Sequence, residues 1–224
     1  MAASGHTGGP GFVRARERMA ARLRDQGIED RRVLEAFAAV PRHTLVPEAL
    51  QPRAYQDAAL PIGAGQTISA PGVVAAMTAA LELAGAEQVL EVGTGSGYQA
   101  AILSRLAARV VSIERLPRLA ADARRALDAL AVTNVVVHLG DGTAGRPGDA
   151  PFEAIVVTAG GPEVPRPLLD QLAIGGRLVM PVGQITEAQQ LVRVNIVLIV
   201  ILSALLVVCL VRPHRHPDLV APRG

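Results

Sequence analysis

The sequence predicts an α/β fold: a doubly wound, mostly parallel sheet, with N-terminal helices ahead of it and an atypical apolar C-terminal segment behind it. Three observations predict it. From residue 88 onward, short apolar runs alternate with alanine-rich amphipathic stretches, the pattern of successive βα units. The run Glu91-Val92-Gly93-Thr94-Gly95-Ser96-Gly97-Tyr98 places a glycine turn between one such strand and one such helix. Three successive strand ends each carry an acid: Glu91, Glu114 and Asp141. In open parallel sheets the crevice beyond the carboxyl ends of the strands is where ligands bind.

Met1 to Gly11 is rich in Gly and Ser and is expected to be disordered. Phe12 to Gln26 reads as an amphipathic helix with Val13, Met19 and Leu23 near one face and Gly27 as its stop. Its arginines, Arg14, Arg16, Arg18, Arg22 and Arg24, read as a solvated face paired with Glu17 and Asp25 more readily than as a nucleic-acid patch. Asp30 can cap a second helix through Ala38, with Val33, Leu34 and Phe37 inward, and Pro41 ends it. Pro41 to Pro61 is dotted with proline and irregular. Gly63 to Pro71 then leads into a helix over Gly72 to Leu83. Strands are expected near 88–92, 109–113, 134–139, 153–158, 176–182 and 189–194, and helices near 97–107, 117–130 and 165–173.

Composition narrows the function classes. The chain has 224 residues, enough for one compact domain with a sizeable core. Its net charge of +2 gives no strong drive toward nucleic acid. All 22 basic residues are Arg, which keeps its charge to high pH and lifts the pI to 9.3. The single cysteine, Cys209, excludes an internal disulfide and a multi-cysteine zinc site. His214 and His216 lie in a polar tail without further ligands, so no metal is expected. No apolar leader opens the chain, and a cytoplasmic protein is expected.

The glycine spacing bears on the ligand. A dinucleotide fold wants G-x-G-x-x-G with a helix N-terminus aimed at a pyrophosphate. Here the glycines stand at 93, 95 and 97, with Glu91 two residues before the first. This E-x-G-x-G-x-G form resembles the S-adenosylmethionine (AdoMet) methyltransferases, although by itself it also fits any tight turn after a buried strand. AdoMet carries a sulfonium and an ammonium and no phosphate, so an acid near the turn suits it. Glu114, at the tip of the next strand, stands where a ribose diol is gripped by a carboxylate. Gly140-Asp141-Gly142-Thr143 is a turn that can bring an acid and backbone against an adenine edge. Glu114 and Asp141 each also read as plain solvated loop acids.

The segment before the glycine turn is more specific. Val40-Pro41-Arg42-His43, Val46-Pro47, Ala54-Tyr55, Leu60-Pro61-Ile62-Gly63 and above all Gly65-Gln66-Thr67-Ile68-Ser69-Ala70-Pro71 resemble the protein-L-isoaspartate O-methyltransferases. So do Glu91 to Ala101, Gly140-Asp141-Gly142, and Ala159 to Leu172 followed by Gly175-Gly176-Arg177-Leu178-Val179, and the likeness covers about residues 12–194. The resemblance implies a repair enzyme that methylates the free α-carboxyl of isoaspartyl residues, with AdoMet as methyl donor, damaged proteins and peptides as partners, no nucleic acid, and a monomer. It implies that Ser69 orients the substrate carboxylate, and that Gln66, Thr67 and Ile68 line the same wall and touch the cofactor. Glu91 would serve the methionine end of AdoMet with Gly93, Thr94, Gly95 and Gly97; Glu114 would serve the ribose, and Asp141 with Gly142 the adenine. Ser69 also reads as the cap of the 72–83 helix. His43 and His138 read as structural or surface residues. Other readings are a related methyltransferase acting on tRNA or a small carboxylate, and an inactive AdoMet-binding remnant tethered to a membrane.

The resemblance stops after Val194. The family is expected to continue into a hairpin and a last strand inserted antiparallel between two others. Here 196–211 is apolar and uncharged, with no Gly, Pro, Asn or Asp to turn a hairpin. As a helix the run would span about 24 Å, short of a ~30 Å hydrocarbon core. Three readings of 195–211 stay open: a membrane helix, a long buried strand or helix that replaces the sheet's edge, and a foreign tail. Residues 212–224 form a polar tail, and the protein would be membrane-associated if 195–211 inserts.

Overall fold

The computed structural model describes residues 9–183, 190–201 and 204–213. Helix α1 (Pro10–Asp25) starts on a proline, whose missing N–H costs nothing in a first turn. It buries Met19 and Leu23, as the periodicity predicts. It also buries Arg16, and Arg22 donates to the Tyr55 carbonyl at 2.7 Å, so the arginine-rich face is not solvated throughout. The correction has a simple cause: Arg16 and Arg22 fall on the flank of the helix that the 42–55 segment covers. Helix α2 (Arg31–Ala39) is capped by Asp30, whose carboxylate accepts the backbone N–H of Arg32 at 2.8 Å and of Val33 at 3.3 Å.

The irregular segment resolves into two 3₁₀ turns, Arg42–Leu45 and Glu48–Arg53. It is followed by a hairpin that the sequence reading did not place: β1 (Leu60–Gly63) and β2 (Gln66–Ile68), antiparallel. Ala64 and Gly65 both adopt positive φ, 52° and 69°, as a two-residue primed turn demands. Alanine at the first of these positions hides the usual signal. Helix α3 (Pro71–Ala80) follows at once.

The main sheet is built from β3 (Gln88–Val92), β4 (Arg109–Glu114), β5 (Val135–Leu139), β6 (Phe152–Val157), β7 (Leu172–Val182), β8 (Gln190–Ile201) and β9 (Ala204–Pro213). Between them lie α4 (Tyr98–Leu103), α5 (Pro117–Ala129) and α6 (Arg166–Asp170). The strand order is β5-β4-β3-β6-β7-β8-β9. The first five of these are parallel neighbours; β8 and β9 run antiparallel. Chain order turns back between β3 and β6, which puts a crevice at the carboxyl ends of those strands.

Both faces of the sheet are covered. Val89, Val110, Ala154, Val156 and Val179 pack into one apolar cluster with α1 to α4. Their neighbours Leu90, Val111, Ile113, Ile155, Leu178 and Met180 pack into a second with Leu168 of α6. This period-2 sorting into two dry layers explains why the strands read as continuous apolar runs.

The helix reading of 195–211 is corrected. Its described residues belong to strands: β8 pairs with β7 from Arg177↔Asn195 to Val182↔Gln190, and with β9 from Val192↔Pro213 to Ile201↔Ala204. β-Branched content outweighs overall hydropathy in deciding this. Among the described residues, no helix is long and apolar enough to cross a membrane. β8 crosses the expected boundary at 194/195, with Val194 and Ile196 in the core, and Arg193 forks onto Glu82 at 2.5 and 2.6 Å. The last strand, β9, lies at the sheet's edge and is not inserted between two others. Residues 1–8 and 214–224, with most of the expected disordered start, His214 and His216, fall outside the described residues, while Pro10 and Gly11, expected to be disordered, open α1.

Candidate active site

The glycine turn leaves β3 and is held from both sides. The Gly93 N–H donates to the Ile113 carbonyl of β4 at 2.8 Å. From the other side, the Thr158 hydroxyl at the tip of β6 lies 2.6 Å from the Gly93 carbonyl oxygen and 3.0 Å from that of Val92. Gly93 has φ +96°, and a Cβ there would run into the Thr158 hydroxyl, so only glycine fits. Gly97 ends the turn as the N-cap of α4 and accepts no side-chain cap. Inside the turn the Gly97 N–H donates to the Thr94 carbonyl at 2.9 Å.

The three acids meet this turn in different ways. Glu91 is fully buried beneath it and takes a very short hydrogen bond from Ser112, its cross-strand neighbour on β4. The Thr94 hydroxyl lies 2.5 Å from the Ser112 hydroxyl, so the three side chains are hydrogen-bonded in series. The chain Thr94–Ser112–Glu91 ties the turn to the sheet. Glu91 therefore lies fully buried behind the turn and not in the open crevice. Its other oxygen, Oε1, is buried and among the described residues has no hydrogen-bond partner. Burial, opposed by the Ser112 hydrogen bond and reinforced by the Glu114 charge, pushes its carboxyl up to about 8.

Glu114 closes β4 and faces the turn directly. One carboxylate oxygen accepts the Gly95 N–H at 2.8 Å and the other the Leu116 N–H at 3.0 Å. Asp141 follows β5 and is exposed. Its Oδ1 accepts the Thr143 N–H at 2.9 Å and the Thr143 hydroxyl at 2.8 Å, which holds its carboxyl below the usual range. Gly142 lies against Val92 so closely that a Cβ would strike the valine Cγ1. That contact seats the 141–145 loop over the end of β3, and Gln171 braces the loop by accepting the Arg146 N–H at 2.6 Å. Glu114, Asp141 and the glycine turn thus share one crevice edge.

The opposite wall is the β1–β2 hairpin. Ile62 Cδ1 lies 3.5 Å from where a Gly95 Cβ would stand, so the hairpin rests on the turn. Gln66 and Thr67 are exposed on β2, and Ile68 is buried under it. Ser69 leaves β2 half-buried, and among the described residues its hydroxyl has no hydrogen-bond partner. It is not a helix cap: the N-cap of α3 is Ala70, without a side-chain bond. That task falls to Asp57, which accepts the Gly72 N–H at 2.8 Å. The capping alternative for Ser69 is thereby removed.

Sequence reasoning missed Thr158, Ser112, Asp57 and Arg42. Thr158 and Ser112 were legible as polar residues interrupting apolar strands. Arg42 left no such signal, yet it is fully buried, donating to the carbonyls of Ala54 at 2.8 Å and Ser69 at 2.7 Å. His43 is structural, as expected: its Nδ1 lies 2.7 Å from the Tyr55 hydroxyl and its ring stacks on Phe12 at 4.0 Å. His138 sits half-buried on β5, in register with Ile113 of β4. Among the described residues, no group of three or more His, Cys, Asp or Glu is placed to hold a metal ion.

Comparison with known proteins agrees with this geometry. The pattern that defines the family Protein-L-isoaspartate(D-aspartate) O-methyltransferase (PCMT) matches residues 14–198. A protein-L-isoaspartate O-methyltransferase 1 of Syntrophobacter fumaroxidans is 58% identical over 185 residues, covering 82% of this chain and 86% of that protein. One from Geobacter metallireducens is 56% identical over 185 residues, covering 82% and 85%. Among solved structures, a protein-L-isoaspartate O-methyltransferase superposes with TM-score 0.74 at 27% identity, covering 93% of this chain and 66% of that longer one. A second, from Plasmodium falciparum in complex with S-adenosyl-L-homocysteine, superposes with TM-score 0.70 at 22% identity, covering 87% and 94%, and shares the fold.

Proposed function

The chain belongs to the protein-L-isoaspartate O-methyltransferase family, and we propose from this premise how its own residues carry the reaction. It transfers a methyl group from AdoMet to the free α-carboxyl of L-isoaspartyl residues in damaged proteins. The observation that carries the residue assignment is the half-buried Ser69 hydroxyl, without a hydrogen-bond partner among the described residues, on a wall that rests against the glycine turn.

The chemistry asks little of the protein beyond placement. The acceptor carboxylate is already ionised at neutral pH, so no general base is required. A carboxylate oxygen attacks the sulfonium methyl in line; the C–S bond breaks, its electron pair stays on sulfur, and a methyl ester and S-adenosylhomocysteine leave. Anion and cation neutralise each other, so a site that excludes water favours the step. Ser69 donates to the acceptor carboxylate and orients it. Gln66, Thr67 and Ile68 line the wall on which donor and acceptor meet.

The crevice fits AdoMet in its polar groups. Glu114 offers carboxylate oxygens toward a ribose diol, and Asp141 with the Gly142 backbone faces the adenine. Gly93, Thr94, Gly95 and Gly97 let the backbone approach closely. Glu91 acts from behind the turn, through Ser112 and Thr94, and adds a buried negative potential as its carboxyl ionises.

The test is methyl transfer from labelled AdoMet to an isoaspartyl peptide beside its aspartyl twin. Label on the isoaspartyl peptide alone is expected. Label on both peptides, or on a tRNA in their place, would overturn the substrate assignment.

A further inference from the structure

We infer that Arg42 is a positioning residue for the methyl transfer: its buried guanidinium locks the Ser69 peptide to the helix that begins at the end of the glycine turn. The inference rests on the proposed role of Ser69.

Arg42 reaches three separate segments from one planar fork. Nε donates to the Ala54 carbonyl at 2.8 Å, at the end of the 3₁₀ segment. Nη2 donates to the Ser69 carbonyl at 2.7 Å. The guanidinium carbon lies 4.7 Å from the centre of the Tyr98 ring, and Tyr98 is the first residue of α4, next to Gly97. The side chain has no exposed surface, and Nη1 has no partner among the described residues.

Stability does not account for this arrangement. The groups Arg42 touches are two carbonyls and a ring, all uncharged. Asp57 is the carboxylate whose charge favours it, but that carboxylate bonds to Gly72 and Gln26. A buried cation so held is costly, which offsets much of what its two hydrogen bonds to carbonyls return. What the guanidinium supplies is geometry. Two N–H directions and a stacking face are fixed in one plane, which an ammonium cannot reproduce.

That geometry matters because the Ser69 hydroxyl has no internal partner to aim it. Its direction follows from the backbone at 68–70. Arg42 fixes that backbone through the Ser69 carbonyl, and Asp57 fixes it from the far side through the Gly72 N–H. The same guanidinium leans on the helix that starts where the glycine turn ends. The acceptor-holding residue and the turn thereby share one rigid support, and misplacement by about 1 Å can cost on the order of 10²-fold in rate.

The experiment uses the full chain, with Arg42→Met and Arg42→Lys beside the wild type. Three quantities are read: steady-state kinetics on an isoaspartyl peptide, affinity for S-adenosylhomocysteine by calorimetry, and the thermal midpoint. Arg42→Met is expected to lower kcat about 100-fold, with cofactor-product affinity within about threefold and the midpoint lowered by only a few degrees, since two carbonyls lose a donor. Arg42→Lys, which keeps the charge and one donor, is expected to recover about a tenth of the wild-type rate. Unchanged kcat in either variant overturns the inference. So does a fall of rate, affinity and midpoint together, which marks a merely structural role. If Arg42→Met does not fold, the lysine variant decides on the same terms. A wild-type chain that binds S-adenosylhomocysteine but leaves isoaspartyl peptides unmethylated overturns the assigned substrate and this inference with it; an active wild type with a fully active lysine variant overturns this inference alone.

Discussion

The Glu114 carboxylate accepts the backbone N–H of Gly95 across 2.8 Å, so the end of the second strand of the parallel sheet is bonded to the middle of the turn that leaves the first. One oxygen is taken by Gly95 and the other by Leu116, yet each carboxylate oxygen has two lone pairs. The group therefore keeps acceptor capacity for a diol while it shapes the turn.

Replacing Glu114 by Gln should consequently weaken AdoMet more than it weakens the fold. The amide still offers one acceptor but loses the charge-assisted bonds, each worth about 1.5–3 kcal/mol. We expect roughly 10- to 100-fold poorer affinity for S-adenosylhomocysteine by calorimetry, with kcat at saturating AdoMet changed less. Unchanged affinity would remove Glu114 from the cofactor site.

Ser69→Ala should show the opposite division. No hydrogen bond within the described residues is lost, so the thermal midpoint should move little. Cofactor affinity should also hold. The expected loss is in kcat on isoaspartyl peptides, by about 10- to 100-fold, below the roughly 10²- to 10³-fold cost of an oxyanion-hole donor because the carboxylate charge here falls toward the transition state. Equal losses in affinity and turnover would show that the hydroxyl does something else.

Glu91 makes stability depend on pH. Its carboxyl is raised from 4.5 to about 8 in the folded chain, so between these values the folded state keeps a proton that the unfolded state has released. Stability from this group is then full below pH 4.5 and falls as pH rises, by at most ~1.4 kcal/mol per unit, until it levels near 8. In Glu91→Gln that slope should vanish. The check is urea unfolding of both proteins across this window; parallel curves would refute the assignment. AdoMet, by bringing positive charge to the turn above Glu91, should lower the pH at which the group ionises.

The parallel half of the sheet was legible because its signals are local and redundant. Val89-Leu90, Val110-Val111 and Ile155-Val156 alternate between two buried layers, and each apolar run ends at a glycine, an acid or a threonine. The hairpin at 60–68 was not legible, since Ala64 takes a positive φ that propensity assigns to Gly or Asn. Arg42 stood in the Val40–His43 motif, but its role was hidden for another reason. The carbonyls it satisfies, Ala54 and Ser69, are distant in sequence, and only the closed fold brings them to one guanidinium. The apolar run after Val194 misled because a helix and a buried strand of similar hydropathy differ chiefly in tertiary pairing, which the sequence does not display.

That pairing yields the last prediction. Residues 195–201 of β8 continue a strand whose first half is already core: Leu191 and Val194 are buried, and Ile196 is 9% exposed. Arg193, just before them, anchors the strand to Glu82. Deleting 195–224 would remove the Asn195 partner of Arg177 and all of β9, leaving the Gln190–Val194 remnant of β8, with its buried Val194, as a newly opened sheet edge. Exposed apolar edges promote association. The truncated chain should therefore have a lower thermal midpoint and sediment as aggregate, while S-adenosylhomocysteine still binds whatever fraction stays folded, because every residue assigned to the cofactor lies before residue 143. If instead the truncation were more soluble and equally stable, the antiparallel strands would contribute nothing to the core, and the membrane reading of 195–211 would regain its footing.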